Sequence, residues 1–206
     1  GRVVMTPNML NLQWVAVVLY PAGHYAGKIN YEASVKYPQG FQAATALDVE
    51  RRDGDTVHYK PVPLDILVDS PVYAGRYFKQ IDLAPGAKVP VRLNVVADAA
   101  KYLEAKPEHI EQHREMVRQA LKLYGAQHYD HYDFLFSLSK QMGGTGLEHQ
   151  RSSENGVSGL GWPIGGTTRC RSSASATSNG SSSPRRWCMV RASWCSTSRS
   201  PDWTRW

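Results

Sequence analysis

The chain has 206 residues, a length for one large domain or two small ones, with a net charge of +6 and an isoelectric point near 9.3. Taken whole, that balance suits an anionic partner such as nucleic acid. Of the 24 basic and 18 acidic residues, however, seven arginines and one acid (Asp202) lie in residues 157–206, which leaves a neutral body with 17 of each and puts the net basicity in the tail.

From the N-terminus, residues 7–95 read as β-rich. Leu12 to Tyr20 is a nearly continuous apolar run, expected as one strand and far short of the about 20 residues that span a bilayer. Lys28 to Tyr37 alternates as a half-buried strand, and Pro38-Gln39-Gly40 turns the chain. Ala44 to Arg51 is a further strand candidate. Asp53-Gly54-Asp55 is a hairpin turn with Thr56–Lys60 as its second arm. Leu64–Val72 reads as a connecting segment or helical turn, and Tyr77–Leu83 and Val89–Val96 as strands. Strands at this spacing predict a sandwich or a saddle-like sheet over residues 1–96.

The pattern changes near residue 98. Pro107 suits a helix first turn, with Glu108 and Glu111 near its positive end. Ile110, Val117, Leu121 and Tyr124 fall on one face, and Gly125 is a C-terminal stop. Tyr132–Leu138 is a strand that Gly143-Gly144 ends. A helix leading into a strand with a polar edge loop predicts the start of a second domain over residues 97–157, and an α+β chain as a whole.

Residues 158–206 form a third region. All three cysteines, five of the six tryptophans and twelve serines lie in the last fifty positions, which contain no Lys, His, Phe or Tyr. No helix or strand period is sustained there, and a solvated linker would be poor in Trp and Cys. This is the composition of GC-rich DNA read in a wrong frame. The region from about 158–165 onward is therefore expected to be an irregular, frame-shifted tail, the alternative being a genuine low-complexity basic tail.

Three constellations carry candidate chemistry. His109-Ile110-Glu111-Gln112-His113 places two histidines one helical turn apart, a spacing that can bind zinc, but neither Ile110 nor Gln112 supplies the glutamate of a zincin or its inverted form. His113 is expected to pack half-buried, with His109 solvated. His128-Tyr129-Asp130-His131-Tyr132-Asp133 is rich in ligand types, but neighbours on an extended chain point to opposite faces, so these are expected to bond locally. Glu148, after the Gly-rich turn Gly143-Gly144-Thr145-Gly146, can hold a cationic group by charge-assisted hydrogen bonds. Glycines there let a peptide backbone approach an exposed edge. Read from the residues alone, Glu148 is sooner a solvated loop acid.

The run from Tyr129 to Leu135, and that from Gly146-Leu147-Glu148-His149-Gln150-Arg151 to Val157, resemble the glycyl aminopeptidase family of thermolysin-like zinc metallopeptidases. Leu64–Phe78 resembles the same family's N-terminal domain, so the likeness covers residues 7–157. It implies a β-rich N-terminal domain followed by the incomplete start of a zinc-peptidase domain. The intact relative would remove N-terminal residues from peptides through zinc-activated water. Gly-Leu-Glu is similar in place to the Gly-x-Met-Glu-Asn edge strand of alanyl-type aminopeptidases. On that analogy Glu148 binds the substrate amine, and Gly144 and Gly146 shape the strand beside it. The implied partner is a peptide with a free N-terminus, with neither nucleic acid nor membrane; the implied compartment is periplasmic or secreted. Zinc belongs to the intact family. No histidine follows His149, so no HExxH motif exists in this chain. No residue is assigned here as catalytic or as a metal ligand, no cofactor is expected, and the chain is expected to be inactive. The alternative reading is a non-catalytic, β-rich peptide- or protein-binding module.

Overall fold

The structure, a computed structural model, describes residues 4–142 and 144–157. Gly143 and the expected irregular region 158–206 lie outside the described residues. The first part of the chain contains β1 (Val4–Met5), β2 (Met9–Leu12), β3 (Asn30–Tyr31), β4 (Ser34–Lys36), β5 (Gln42–Ala44), β6 (Val49–Asp53), β7 (Thr56–Tyr59), β8 (Val62–Pro63), the short helix α1 (Leu64–Val68) and β9 (Val72–Gly75). There follow β10 (Tyr77–Asp82), β11 (Val91–Ala97), helix α2 (Pro107–Tyr124), β12 (Tyr132–Leu138), β13 (Gly146–Glu148) and β14 (Ser152–Val157). The architecture is α+β and β-rich, as the sequence pattern implies.

Four antiparallel strands, in the order β1-β2-β9-β5, make the first sheet, and β4-β7-β6 and β3-β8 form smaller ones beside it. Trp14, Tyr37, Leu47, Val57, Tyr59, Leu67 and Val72 share one apolar core. The Tyr37 and Tyr59 hydroxyls meet at 2.6 Å inside it, which satisfies both in an interior that would penalise either alone. Burial pushes both phenols above their ordinary range, so they stay neutral.

Three expected strands break where partners change. Leu12–Tyr20 is not one strand. β2 ends at Leu12, the Trp14 indole donates to the Ser70 carbonyl at 2.8 Å, and a 3-10 turn over Trp14–Ala16 carries the chain out of the sheet. Val15, Val17, Leu19 and Tyr20 end up exposed, so their apolar character reports no core. The 28–37 segment splits because β3 pairs with β8 and β4 with β7. The 44–51 segment splits likewise, β5 pairing with β9 and β6 with β7. The Asp53-Gly54-Asp55 turn is as expected, with Gly54 at φ +57°, where a Cβ would strain.

The five-stranded sheet has the order β10-β11-β12-β14-β13. Its three central strands are parallel and its two edge strands antiparallel. A parallel β11–β12 pair needs a long crossover, and α2 provides it. Parallel strands covered on both faces read as continuous apolar runs, which is why β11 and β12 stand out in the sequence. Val117 is buried against this sheet, and Ile110 and Leu121 pack on it. Gly125 closes α2 in the left-handed region, φ +67°, its N–H donating to Leu121 O. Tyr124, expected on the apolar face, is exposed instead. The helix is roughly 27 Å long while the seven-residue strands beneath it extend roughly 23 Å, so its last turn has little to cover.

Met9, Ala44 and Tyr73 of the first sheet pack with Val96, Leu135 and Met142, which joins the two sheets through a shared core. The contact is close at Gly75, where a Cβ would lie 3.1 Å from Asn8 O and 3.3 Å from Val96. Among the described residues, no helix is long and apolar enough to cross a membrane.

Candidate functional site

The sheet's far edge is β13, Gly146–Glu148, bonded on one side only, to β14. An unpaired edge offers free N–H and C=O groups to an incoming strand. Glu148 sits at its end and is exposed. Gly144 and Gly146 are exposed as well, and neither takes a positive φ. A Cβ on Gly144 would meet Gly156 O at an ordinary 3.5 Å, and one on Gly146 would meet nothing within 4 Å. The internal fold therefore demands glycine at neither position.

Next to Glu148 the chain turns inward. His149 N donates to Ser152 O at 2.9 Å, which closes the turn into β14. The His149 ring lies between two carboxylates: Nδ1 is 2.9 Å from Asp69 Oδ1 at the end of α1, and Nε2 is 3.4 Å from Glu154 Oε2 on β14. Asp69 Oδ2 also accepts from the Gln150 N–H at 2.7 Å. Burial lowers the His149 pKa, but the bonds to Glu154 and Asp69 outweigh it, and the net shift is upward. A doubly flanked imidazole can donate at both nitrogens only as the cation.

Glu154 is 2% exposed. Its Oε1 accepts from Gln13 Nε2 at 2.5 Å and Asn11 Nδ2 at 3.2 Å, and Gln13 Nε2 reaches Asn11 Oδ1 at 3.1 Å. Tyr73 is buried close by; burial, then the charge of Glu154, pushes its phenol up and keeps it protonated. The network clamps the β13–β14 hairpin onto β2 and α1.

A cleft of about 700 Å³ opens between these elements, lined in part by Gln13, Val15, Asp65, Asp69, Glu148 and His149. Its lining carries three carboxylates, of which, among the described residues, Asp69 is paired with His149 and Asp65 and Glu148 are not, and neither Lys nor Arg. The arrangement suits a cationic group at the end of an extended ligand lying along β13.

The other constellations behave differently. His113 is buried, its ring edge-on to Phe136 with centroids 6.0 Å apart, and its Nδ1 is 2.7 Å from His109 O. Burial lowers its pKa. His109, expected in solvent, is half-buried because α2 lies down on the sheet. In the 128–133 run, His131 Nδ1 is 2.8 Å from Asp133 Oδ2, the local bonding that was expected, but His128 Nε2 is 3.1 Å from Gln150 O and Asp130 Oδ1 accepts from Arg151 at 3.0 Å, because β12 pairs with β14 and brings that distant segment alongside. The sequence did not foresee that Asp130 and His131 come together with Asp48. It also gave Gln13, Asp69 and Glu154 no role. His149 and Asp69 lie 80 residues apart, so no local pattern could have linked them.

Residues 1–76 match the family model described as peptidase M61 N-terminal domain. Over those residues the chain is similar to a peptidase M61 N-terminal domain. That domain runs from β1 through β9 and holds Gln13 and Asp69, while Glu148, His149 and Glu154 lie beyond it. Solved structures with similar folds include an aminopeptidase N family protein from Idiomarina loihiensis, 17% identical, with 72% of this chain and 25% of that chain covered and a TM-score of 0.54. Native yeast LTA4 hydrolase is 16% identical, with 72% and 23% covered and a TM-score of 0.48. A zinc metallopeptidase from Deinococcus radiodurans is 15% identical, with 60% and 28% covered and a TM-score of 0.39. Of these three, the first reaches a similarity that establishes a shared fold. The chain spans about a quarter of the length of these structures. No curated protein matches it.

The zinc that the family resemblance implies does not fit His109, His113 or His149. His109 and His113 have the spacing of a zinc pair, but His113 is packed into the core against Phe136 and the intervening glutamate is misplaced. His149 is taken by Asp69 and Glu154.

Proposed function

We propose that the chain is the substrate-gripping part of a glycyl aminopeptidase-like metallopeptidase, one that receives the free N-terminus of a peptide in the cleft between α1 and β13. The observation that carries this reading is an exposed glutamate, Glu148, at the end of a one-sided edge strand beside an acid-lined cleft. In this reading the peptide pairs with β13, Glu148 takes its ammonium group, and the open space at Gly144 and Gly146 admits its backbone. His149, Asp69 and Glu154 act as positioning residues that hold Glu148 and the edge in place. A compartment outside the cytoplasm goes with the family resemblance.

Without an HExxH motif, the chain is expected to bind such peptides and not cleave them. That absence also favours a second reading, a non-catalytic peptide- or protein-binding module. Translating the coding DNA for residues 150–206 in all three forward frames separates the two: HExxH with a later Glu in another frame supports the peptidase, and its absence from every frame supports the module.

Binding itself is tested by calorimetry with a tripeptide starting in Gly or Ala and with its N-acetylated form. Glu148→Gln is expected to weaken the free-amine peptide about tenfold or more, in line with about 1.5–3 kcal/mol for a charged hydrogen bond. Equal binding of the acetylated peptide, or no effect of the substitution, would refute the assignment. So would peptide hydrolysis by the zinc-loaded chain, as regards inactivity.

A further inference from the structure

A second cluster lies at the start of β12. One ligand atom each from Asp48, Asp130 and His131 lies within 4.8 Å of the other two. They come from two parts of the chain: Asp48 from the connection between β5 and β6, and the adjacent Asp130 and His131 from the loop entering β12. Arg151 holds that connection in place by donating to Ala46 O at 2.8 Å.

His131 gives the cluster its direction. Its side chain is 10% exposed, and its Nε2 is buried without a hydrogen bond among the described residues. Asp48 Oδ1 lies 3.4 Å from Nε2, an ion-pair separation without hydrogen-bond geometry. On the other side of the ring, Nδ1 lies 2.8 Å from Asp133 Oδ2, and Asp133 is 2% exposed. Arg92 Nη2 stands 2.8 Å from both Nδ1 and Asp133 Oδ2. Its bond goes to the carboxylate, the stronger acceptor, because a bare lone pair on Nδ1 would face that carboxylate at 2.8 Å. Asn94 Nδ2 donates to Asp133 Oδ1 at 2.9 Å and fixes the acid further. With the ring proton on Nδ1, donated to Asp133, the lone pair lies on Nε2.

We infer that Asp48, Asp130 and His131 form a site for a divalent cation of the zinc class. A histidine that donates Nδ1–H to a buried carboxylate and turns a buried Nε2 outward is how proteins orient an imidazole toward a metal. Two ligand atoms about 2.1 Å from a tetrahedral centre are about 3.4 Å apart, the separation found between Nε2 and Asp48 Oδ1. One nitrogen and two carboxylate oxygens suit a borderline cation better than calcium or magnesium, which favour all-oxygen sites. Asp48 and Asp130 are 42% and 69% exposed, so water has access to the remaining coordination position. Asp130 also pairs with Arg151 at 3.0 Å, so the cation competes with that arginine for one oxygen. Bound there, the cation would pin the β5–β6 connection to the start of β12.

The test is calorimetric titration of the untagged full chain with Zn²⁺ at pH 7. Cys170, Cys188 and Cys195 are first alkylated with iodoacetamide, because thiolates would otherwise bind the ion. One Zn²⁺ per chain is expected, with affinity at least tenfold weaker in Asp48→Asn and in Asp130→Asn. Both positions are partly exposed, so both variants are expected to fold, and far-UV circular dichroism checks it. Nitrogen NMR of His131 should show Nε2 ligated and Nδ1 protonated. No Zn²⁺ binding, equal binding by the wild type and both variants, or a proton on Nε2 in the zinc-loaded chain would overturn the site.

Discussion

Replacing Glu154 with leucine should cost the protein a large part of its stability. The carboxylate is 2% exposed and accepts from Gln13 at 2.5 Å and Asn11 at 3.2 Å, with His149 at 3.4 Å. A hydrogen bond to a charged group contributes about 1.5–3 kcal/mol, and the three cannot be summed because the donors share one acid. Removing one partner of a buried charged network costs about 3–5 kcal/mol, chiefly because the abandoned donors stay buried. We therefore expect Glu154→Leu to lose about 3–5 kcal/mol, against the about 5–15 kcal/mol typical of a whole domain. Glu154→Gln keeps the shape and one acceptor for Gln13 and Asn11, but turns its NH2 toward His149 and removes the charge, and should lose about half as much. Urea unfolding followed by tryptophan fluorescence at pH 7 reads the difference, since Trp14 lies in the neighbouring core. With a slope of about 2 kcal/mol per molar urea, the leucine midpoint should fall by about 2 M. A midpoint within about 0.5 M of wild type would mean that the clamp contributes little and that the hairpin is held by its strand pairing alone.

His149 should make stability depend on pH in a definite direction. Its pKa is raised in the folded state, so its contribution is fully present below the unfolded value of about 6.5 and is lost as pH rises through the folded value. Unfolding midpoints from pH 5.5 to 8.5 should thus decline more steeply for the wild type than for His149→Gln; parallel profiles would contradict the flanked-imidazole picture. His113 works oppositely, its lowered pKa withdrawing stability as pH falls below about 6.5, so the comparison needs the same His113 in both proteins. In the core of the five-stranded sheet, Leu135→Ala should cost about 2–5 kcal/mol, whereas Leu123→Ala, 74% exposed on α2, should stay within about 0.5 kcal/mol. Equal effects in urea unfolding would show the sheet core to be misplaced.

Much of the second half of the described chain was legible in the sequence. Pro107, the acids after it, the apolar spacing and Gly125 bound α2 because each acts within one or two helical turns. β12 reads correctly from Tyr132 to Leu138 because a central parallel strand is apolar on both faces. The first half was harder. Its strands are two to five residues long and change partners every few residues, so apolar runs such as Leu12–Tyr20 overstate them. Apolar character records only a preference for leaving water. Whether a partner exists to receive the residue is settled elsewhere in the chain.

The sequence alone determined the β-rich α+β class, the neutral body, the edge position of Gly146–Glu148 and the absence of an HExxH motif. The tertiary structure decided what surrounds Glu148. It brought Asp69, His149, Glu154, Gln13 and Asn11 into one network across separations of up to 143 residues, and Asp48 to His131. Such groupings depend on how sheets pack and which strands pair, and burial then decides which charges are held and which are solvated. Local periodicity carries none of that information, because it reports one element's preference and not its neighbours.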